Sequence, residues 1–400
     1  MPKVFDFIVV GAGIVGLTVA AELLKRHPSA RLGVLEKESG VGLHASGRNS
    51  GVMHCGIYYG SDTFKAKVCA SGARRMIEFA RTEGIAVKQC GKVILATAEE
   101  QLPTVDKLMR NARENDIRAE RIDSQQLGEL EPCAAKGPAA IYCPDTAVID
   151  SAAIVSRLKE NLARSGVEFI FDCHVNGVHG KGQLQTSHGK IGYGYLVNCA
   201  GAYADVLARH FGLGEDYALV PFKGIYWKLS KASNSKVKAN IYPVPDVSTP
   251  FLGVHFTRVI SGEVYVGPTA IPAFGRENYG IFQGIDLNEA LNIGLLLAGM
   301  YLRNESNFRN LAHCEMGKYR KSNFLAEARQ LLPTLEAADM VPTNKAGIRP
   351  QLVNVKTRKL EMDYILVATD DSMHVLNAIS PAFTSGFVFA ERIVDQIELR

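Results

Sequence analysis

Phe5-Asp6-Phe7-Ile8-Val9-Val10 runs straight into Gly11-Ala12-Gly13-Ile14-Val15-Gly16, and this passage decides the fold. An apolar strand ending in glycines at this spacing predicts a dinucleotide-binding turn. The first two glycines let the backbone turn tightly and approach a pyrophosphate, and Gly16 lets the next helix pack against the strand. The start of that helix then offers unpaired N–H groups to the anion. A lone acid, Glu36, closes the following apolar run, at the distance from Gly16 expected of the residue that holds a ribose hydroxyl. Together, the strand, a helix over 14–26 and an apolar strand over 31–36 make a βαβ start.

Outward from this start, residues 39–60 turn small, polar and glycine-rich. A loop of that kind at strand ends is expected to lie beside the ligand. A helix follows over 65–81, with Val68, Ala73, Met76, Ile77 and Ala80 as its apolar face. Strands over 92–96 and 139–142, separated by polar helices over 99–115 and 124–130, read as an inserted piece of another domain. A helix over 151–165 and strands over 167–171 and 191–198 lead back to the nucleotide domain at Cys199-Ala200-Gly201-Ala202-Tyr203-Ala204-Asp205. From 220 to 269 the chain is strand-rich and aromatic, which argues an antiparallel sheet and a floor for a substrate pocket. Helices over about 286–302 and 319–332, a turn at Gly347-Ile348-Arg349-Pro350, two short strands and a helix after Ser380-Pro381 complete the pattern. The expected fold is α/β (α+β overall). A Rossmann-like domain takes residues 1–85, 146–215 and 344–400, and a largely antiparallel substrate domain takes 86–145 and 216–343.

The 400 residues are 47% apolar and 22% charged, an ordinary globular balance with room for two cores. The net charge of +4 comes without a basic run, so nothing points to nucleic acid. A modest preference for anionic substrates or membrane surfaces stays open. Eight scattered cysteines without Cys-x-x-Cys read as reduced thiols of a cytosolic protein, neither metal ligands nor disulfides. The apolar stretch over 7–21 imitates a signal-peptide core, but Asp6 precedes it and its glycines fit the nucleotide turn. Residues 290–302 are too short an apolar run to span a bilayer. They read as a core helix in preference to a patch that docks peripherally on the inner face of a membrane. Oligomeric state is left open.

On the glycine turn, the segment from Asn198 to Asp205 and the Gly347–Pro350 stretch, the chain resembles the D-amino-acid oxidase superfamily of FAD-dependent oxidoreductases over nearly its whole length. Within it, three stretches resemble the L-2-hydroxyglutarate oxidases and dehydrogenases. They are Gly47-Arg48-Asn49-Ser50-Gly51-Val52-Met53-His54-Cys55-Gly56-Ile57-Tyr58-Tyr59, Phe251 to Thr257 with Tyr265 to Thr269, and Asn377-Ala378-Ile379-Ser380-Pro381-Ala382-Phe383-Thr384-Ser385. Phe383 and Gly386 depart from the pattern, where smaller or more polar residues are expected. The resemblance implies noncovalent FAD and oxidation of a 2-hydroxy dicarboxylate to a ketone. It also implies that oxygen or a quinone-linked acceptor takes the electrons. Glycerol-3-phosphate or amine and amino-acid oxidation are the nearest rival chemistries, and a noncatalytic flavin-binding protein is the rival of another class.

The resemblance assigns Gly11, Gly13, Ile14, Val15 and Gly16 to the pyrophosphate, Glu36 and Lys37 to the adenosine ribose, and Val175 to the adenine. Ser46, Arg48, Asn49 and Ser50 fall to flavin or phosphate, Ala200, Gly201 and Gly347 to close approach, and Thr384 and Ser385 to the flavin edge. Removing a hydride from an α-carbon also requires a base beside the hydroxyl and cations that fix the carboxylates. His54 and His255 are equal candidates for the base, each with a positioning role as its alternative. His374 is expected to support the flavin segment, and His44 to touch flavin or water. Arg349 is the first candidate for a carboxylate, since a planar guanidinium grips it in two places. Lys223, Lys65 and Arg258 are secondary cations. Tyr58, Tyr59, Tyr242 and Thr257 are hydroxyl donors with packing as the rival role.

Overall fold

The computed structural model describes residues 3–246, 251–304 and 307–398. Its first sheet grows from the opening strand, Lys3–Val10, whose side chains alternate between two cores. Phe7 and Val9 face one side, Ile8 and Val10 the other. Lys3–Val10 pairs in parallel with Leu32–Leu35 and with Gly189–Asn198, and Glu168–Ile170 extends the row beyond Leu32–Leu35. Val175–Val178 and Gln183–Thr186 add an antiparallel flap, and Ser372–Val375 returns in parallel beside Leu196–Asn198. The helices Ile14–Arg26, Phe64–Thr82, Ser151–Arg164 and Ala382–Glu398 cover one face. Gly386 has its reason here: a Cβ on it would lie 3.1 Å from Ile14 and 3.4 Å from Thr18, so it lets the last helix sit close on the first.

The second sheet has nine strands and is antiparallel except where Lys92–Ala96 runs with Asn240–Pro243. Across it the order is Glu120–Ile122, Ala139–Cys143, Lys92–Ala96, Asn240–Pro243, His255–Arg258, Val264–Gly267, Tyr217–Leu229 and Ile271–Pro272. Met340–Asn354 lies along Tyr217–Leu229 over nearly its full length. The Gly347–Pro350 stretch is therefore strand, not the turn its composition predicts. Pro350 is tolerated there opposite Pro221, at a position that needs no ladder N–H. The domain boundary expected at residue 344 falls inside this strand, and the chain rejoins the first sheet only at Leu366–Ala368. One face of the second sheet packs Val93, Leu95, Ile241 and Phe256 under the helix Lys321–Leu331; the other turns toward the first sheet.

The helix Leu287–Arg303 corrects the core-helix reading of 290–302. Only Ile293 and Met300 are buried, while Leu287, Leu291, Leu295 and Leu302 face outward. Apolar residues surround the whole helix, yet it lies on Tyr217–Leu229 and the helix Phe308–Gly317 by a narrow stripe. Among the described residues no helix is long and apolar enough to cross a membrane. All eight cysteines are free thiols.

Candidate active site

The two sheets enclose a cavity of about 1280 Å³. At one end Gly11 takes a φ of +103°, and a Cβ on it would sit 2.4 Å from the Cys199 carbonyl oxygen. A Cβ on Gly16 would lie 1.9 Å from the Gly11 oxygen. Only glycine fits either position. Gly13 begins the helix without a capping side chain, and the Ile14 N–H donates to Ser46 Oγ at 2.9 Å. This bare backbone wall and helix end fit a pyrophosphate. Gly11, Gly13, Ile14 and Val15 line the cavity, with Ser46, Arg48, Asn49, Ser50, Val175, Ala200, Gly201, Gly347 and Thr384 around them. Gly16 and Ser385 lie behind the wall. Ser385 Oγ shares a hydrogen bond with Tyr364 at 3.1 Å.

Glu36, at the cavity edge, accepts N–H bonds from Ala12 at 2.7 Å and Glu38 at 3.0 Å, which fix its carboxylate. Replacing Glu36 by alanine should lower FAD retention more than turnover of the remaining holoprotein, and equal flavin content in mutant and wild type would contradict this. Lys37 reaches the same edge, but its ammonium pairs with Glu38 and, at 2.6 Å, with Glu277. The lysine's hydrogen bond holds Glu38 down to about 2. Glu38, His44 and Glu277 lie within 4.8 Å of one another, with Lys37 among them as counter-ion. Asn49 spends its amide on the loop, donating to the Ser46 carbonyl at 2.7 Å and accepting from the Gly51 N–H at 2.8 Å.

The other end of the cavity gathers His54, Tyr58, Tyr59, Lys65, Tyr242, His255, Phe251 and Arg349. His54 follows the short strand Val52–Met53. Its N–H meets Thr384 Oγ1 at 3.4 Å, and that hydroxyl donates to the Val52 carbonyl at 3.3 Å. The His54 ring makes no hydrogen bond among the described residues. His255 Nδ1 lies 2.8 Å from the Gly253 carbonyl, which can only accept. That contact sets the tautomer, so Nε2 carries the free lone pair. The ring of Tyr242 packs on His255 with centroids 3.9 Å apart. Arg349 lies 5.3 Å from the Phe251 ring centroid; it has no ion pair or hydrogen bond among the described residues, and its Nε is buried without a partner. The Tyr58 and Tyr242 hydroxyls and Lys92 Nζ are likewise buried without hydrogen-bond partners among the described residues.

These cations shape the titration of the site. Burial first, then the charges of Lys92, His255 and Arg349, hold His54 down to about 3. Burial lowers His255 to about 4, against the Gly253 bond and with help from Lys92. Both imidazoles are neutral near pH 7, as a base must be. Two carboxylates brought in by a ligand would offset the cations and raise the basicity of both rings. Burial also lowers Lys65 to about 7, with Arg349 adding to the effect.

His374, lowered by burial to about 4, does not reach the cavity. It accepts from Asn198 Nδ2 at Nδ1 and donates from Nε2 to Ser372 Oγ, each at 3.0 Å. Its role is in the sheet behind the Ala200–Gly201 turn. His54, His255 and His374 all bind protons less readily folded than unfolded. The stability they confer is complete above about pH 6.5 and is lost as pH falls toward their folded values. The melting temperature should therefore fall between pH 6.5 and 4.5, and His374→Gln should flatten that slope. An unaltered slope in the variant would remove His374 from the account.

Three expected substrate residues point elsewhere. Phe222 and Gly224 face the cavity, so strand alternation turns Lys223 to the opposite side, where it donates to Gly280 O and Asn278 Oδ1. Arg258 donates to the Val237 and Asn234 carbonyls, away from the cavity. Thr257 is buried beside Tyr242 without lining the cavity. Sequence reasoning passed over Lys92. The available signal was a lysine opening an otherwise apolar strand, Lys92–Ala96, all five residues of which are buried.

Comparison with known proteins adds a family and a fold. The family model described as FAD dependent oxidoreductase matches residues 6–396. An L-2-hydroxyglutarate dehydrogenase of Escherichia coli O17:K52:H18 is 33% identical, over 98% of this chain and 93% of that protein. The mitochondrial L-2-hydroxyglutarate dehydrogenase of Homo sapiens is also 33% identical, over 99% of this chain and 89% of that protein. Among solved structures, FAD-bound L-alpha-glycerophosphate oxidase from Mycoplasma pneumoniae superposes with a TM-score of 0.77 at 18% identity, covering 100% of this chain and 96% of that one. Glycine oxidase from Geobacillus kaustophilus gives 0.73 at 17% identity, covering 100% and 95%. At such identities the two structures speak for the fold alone.

Proposed function

The chain belongs to the FAD-dependent oxidoreductase family, and we propose that it oxidises L-2-hydroxyglutarate to 2-oxoglutarate. The observation that carries the substrate class is Arg349, a half-buried guanidinium on the cavity wall whose buried Nε has no partner and which has no ion pair among the described residues. A charge partly withdrawn from water without a counter-ion costs free energy, so its counter-ion is to be sought in the ligand. A carboxylate fits its fork.

The glycine turn, Glu36 and the Ala200–Gly201 edge would hold FAD, which when bound would supply a two-electron acceptor for oxidation at C2. The chain's residues do the rest. Arg349 holds the C1 carboxylate and fixes the orientation of C2, with Lys65 adding charge beside it. His255 takes the hydroxyl proton at Nε2, and His54 faces the same substrate atoms from the cofactor side. Tyr58, Tyr59 and Tyr242 line the pocket with hydroxyl donors.

Anaerobic titration with L-2-hydroxyglutarate, alongside its D-isomer, glycerol 3-phosphate and glycine, tests this reading. Bleaching of oxidised flavin by the L-hydroxy acid alone is expected. Bleaching by another compound instead, at full flavin content, would move the assignment to polyol phosphates or amines. No bleaching by any of them would favour a flavin-binding protein without turnover.

We also infer a seat on an anionic bilayer. Leu287, Leu291 and Leu295 recur at helical spacing on one face, the last two 69% and 71% exposed, and Ile281 and Phe282, shortly before the helix in sequence, are 72% and 82% exposed. The exposed Arg303 and Arg309 follow the row, and cations beside an apolar patch suit anionic headgroups. Such a seat favours a quinone-linked acceptor over oxygen. The protein should float with vesicles containing phosphatidylglycerol, and L291E/L295E should not. Wild type left at the bottom of the gradient would rule the seat out.

A further inference from the structure

Lys92 opens the strand Lys92–Ala96, opposite Asn240 on one side and Cys143 on the other. The residue is 0% exposed, and its ammonium, near the Cys55 thiol, has no hydrogen-bond partner within 3.5 Å, or 4.0 Å for sulfur, among the described residues. It lies 4.7 Å from the Tyr58 ring centroid and 5.3 Å from that of Tyr242. Those tyrosines line the cavity and Lys92 does not, so the ammonium stands behind them. Both phenol oxygens are buried and without hydrogen-bond partners among the described residues. Two ring faces offset part of the burial cost of a cation through desolvated cation–π contacts. They do not neutralise its charge.

The order of strands places this charge. From one side of the second sheet to the other come the strands of Arg349, Tyr217–Leu229, Val264–Gly267, His255, Tyr242 and Lys92. The candidate base thus lies between a fully buried ammonium and a half-buried guanidinium, neither of which has an ion pair among the described residues. A five-carbon dicarboxylate has the same arrangement: a reacting hydroxyl next to one carboxylate and a second carboxylate at the far end.

We propose that Lys92 determines the preference for a dicarboxylate: its ammonium, set behind Tyr58 and Tyr242, is the fixed countercharge for the distal carboxylate of the substrate. The proposal rests on the substrate reading above. Lys92 is a positioning and specificity residue, acting through the two phenols. A cation behind the rings polarises the O–H groups and strengthens them as donors to an anion. A 2-hydroxy acid ending in a methyl group would leave both phenols and the ammonium unsatisfied, the kind of mismatch that discriminates strongly between substrates.

The test compares L-2-hydroxyglutarate with L-2-hydroxypentanoate, which has the same five carbons and a methyl group at the distal end. Flavin reduction is followed anaerobically in the FAD-loaded wild type, Lys92→Met and Lys92→Arg. Wild type should prefer the dicarboxylate. Lys92→Met should shrink that preference by roughly 30-fold or more, the scale of leaving one partner of a buried charge pair alone, mainly through weaker dicarboxylate binding. Lys92→Arg should recover part of it. A Lys92→Met enzyme with its preference intact would overturn the proposal and leave the ammonium serving the neighbouring Cys55 thiol, which the Cys143 thiol first and the Lys92 charge after it draw toward the thiolate. If Lys92→Met does not fold, the Tyr58→Phe/Tyr242→Phe pair makes the same test: loss of preference supports the assignment and an unchanged ratio overturns it. A wild type reduced by neither acid would overturn the substrate reading itself, and Lys92 with it.

Discussion

His255→Asn is expected to slow anaerobic flavin bleaching by L-2-hydroxyglutarate by about 10²–10⁴-fold, the usual contribution of a positioned base. The reason lies in the two ring nitrogens. An asparagine amide can still donate to the Gly253 carbonyl, as Nδ1 does at 2.8 Å, but offers no basic nitrogen where Nε2 stood. Flavin content and the melting temperature should change little, which separates lost chemistry from lost structure. A loss below tenfold would hand the proton to His54, whose ring has no hydrogen bond among the described residues to set its tautomer. The same substitution at His54 should then carry the large effect.

Arg349→Met is expected to produce opposite changes in stability and activity. Exchanging a half-buried charge that has no ion pair among the described residues for an apolar side chain of similar length should stabilise the ligand-free protein, toward the lower end of the about 1–4 kcal/mol gained when buried ionic groups are replaced by hydrophobic ones. In the same variant kcat/KM for L-2-hydroxyglutarate should fall by about 30-fold to 1000-fold, because the carboxylate loses its fork. Calorimetry of the variant beside steady-state kinetics checks both. A lower melting temperature would mean that the guanidinium supports the fold, and its place as substrate ligand would lose its main argument.

The cofactor end was legible in the sequence because backbone geometry leaves few choices there. Gly11 and Gly16 are glycines for lack of space, and Glu36 is placed by the length of one βαβ unit. The substrate end was less legible, because its side chains come from strands that are remote in sequence. On Tyr217–Leu229 the decisive matter is parity: Phe222 faces the cavity, so Lys223 cannot. Arg349 was named while its stretch was read as a turn, since the proline and glycine around it carry turn signals that the long pairing with Tyr217–Leu229 overrides. Lys92 escaped because a lysine is ordinarily solvated, and only its neighbours across two strands show that this one is not. The leucines over 287–302 look like core in one dimension; what they lack is an element to cover them.

The bond from His54 to Thr384 joins residues 330 positions apart, and the bond from Thr384 to Val52 spans 332. During synthesis, the glycine turn leaves the ribosome long before the wall that closes over the flavin end exists. A nascent chain can form its first βαβ unit early, but it cannot hold the His54 loop in place until the segment around Thr384 has emerged and docked. Such long-range closure is slow compared with local folding. Cofactor capture should thus be among the last events in maturation, and chains cut short of this segment should leave the ribosome without flavin, even with their whole nucleotide turn intact.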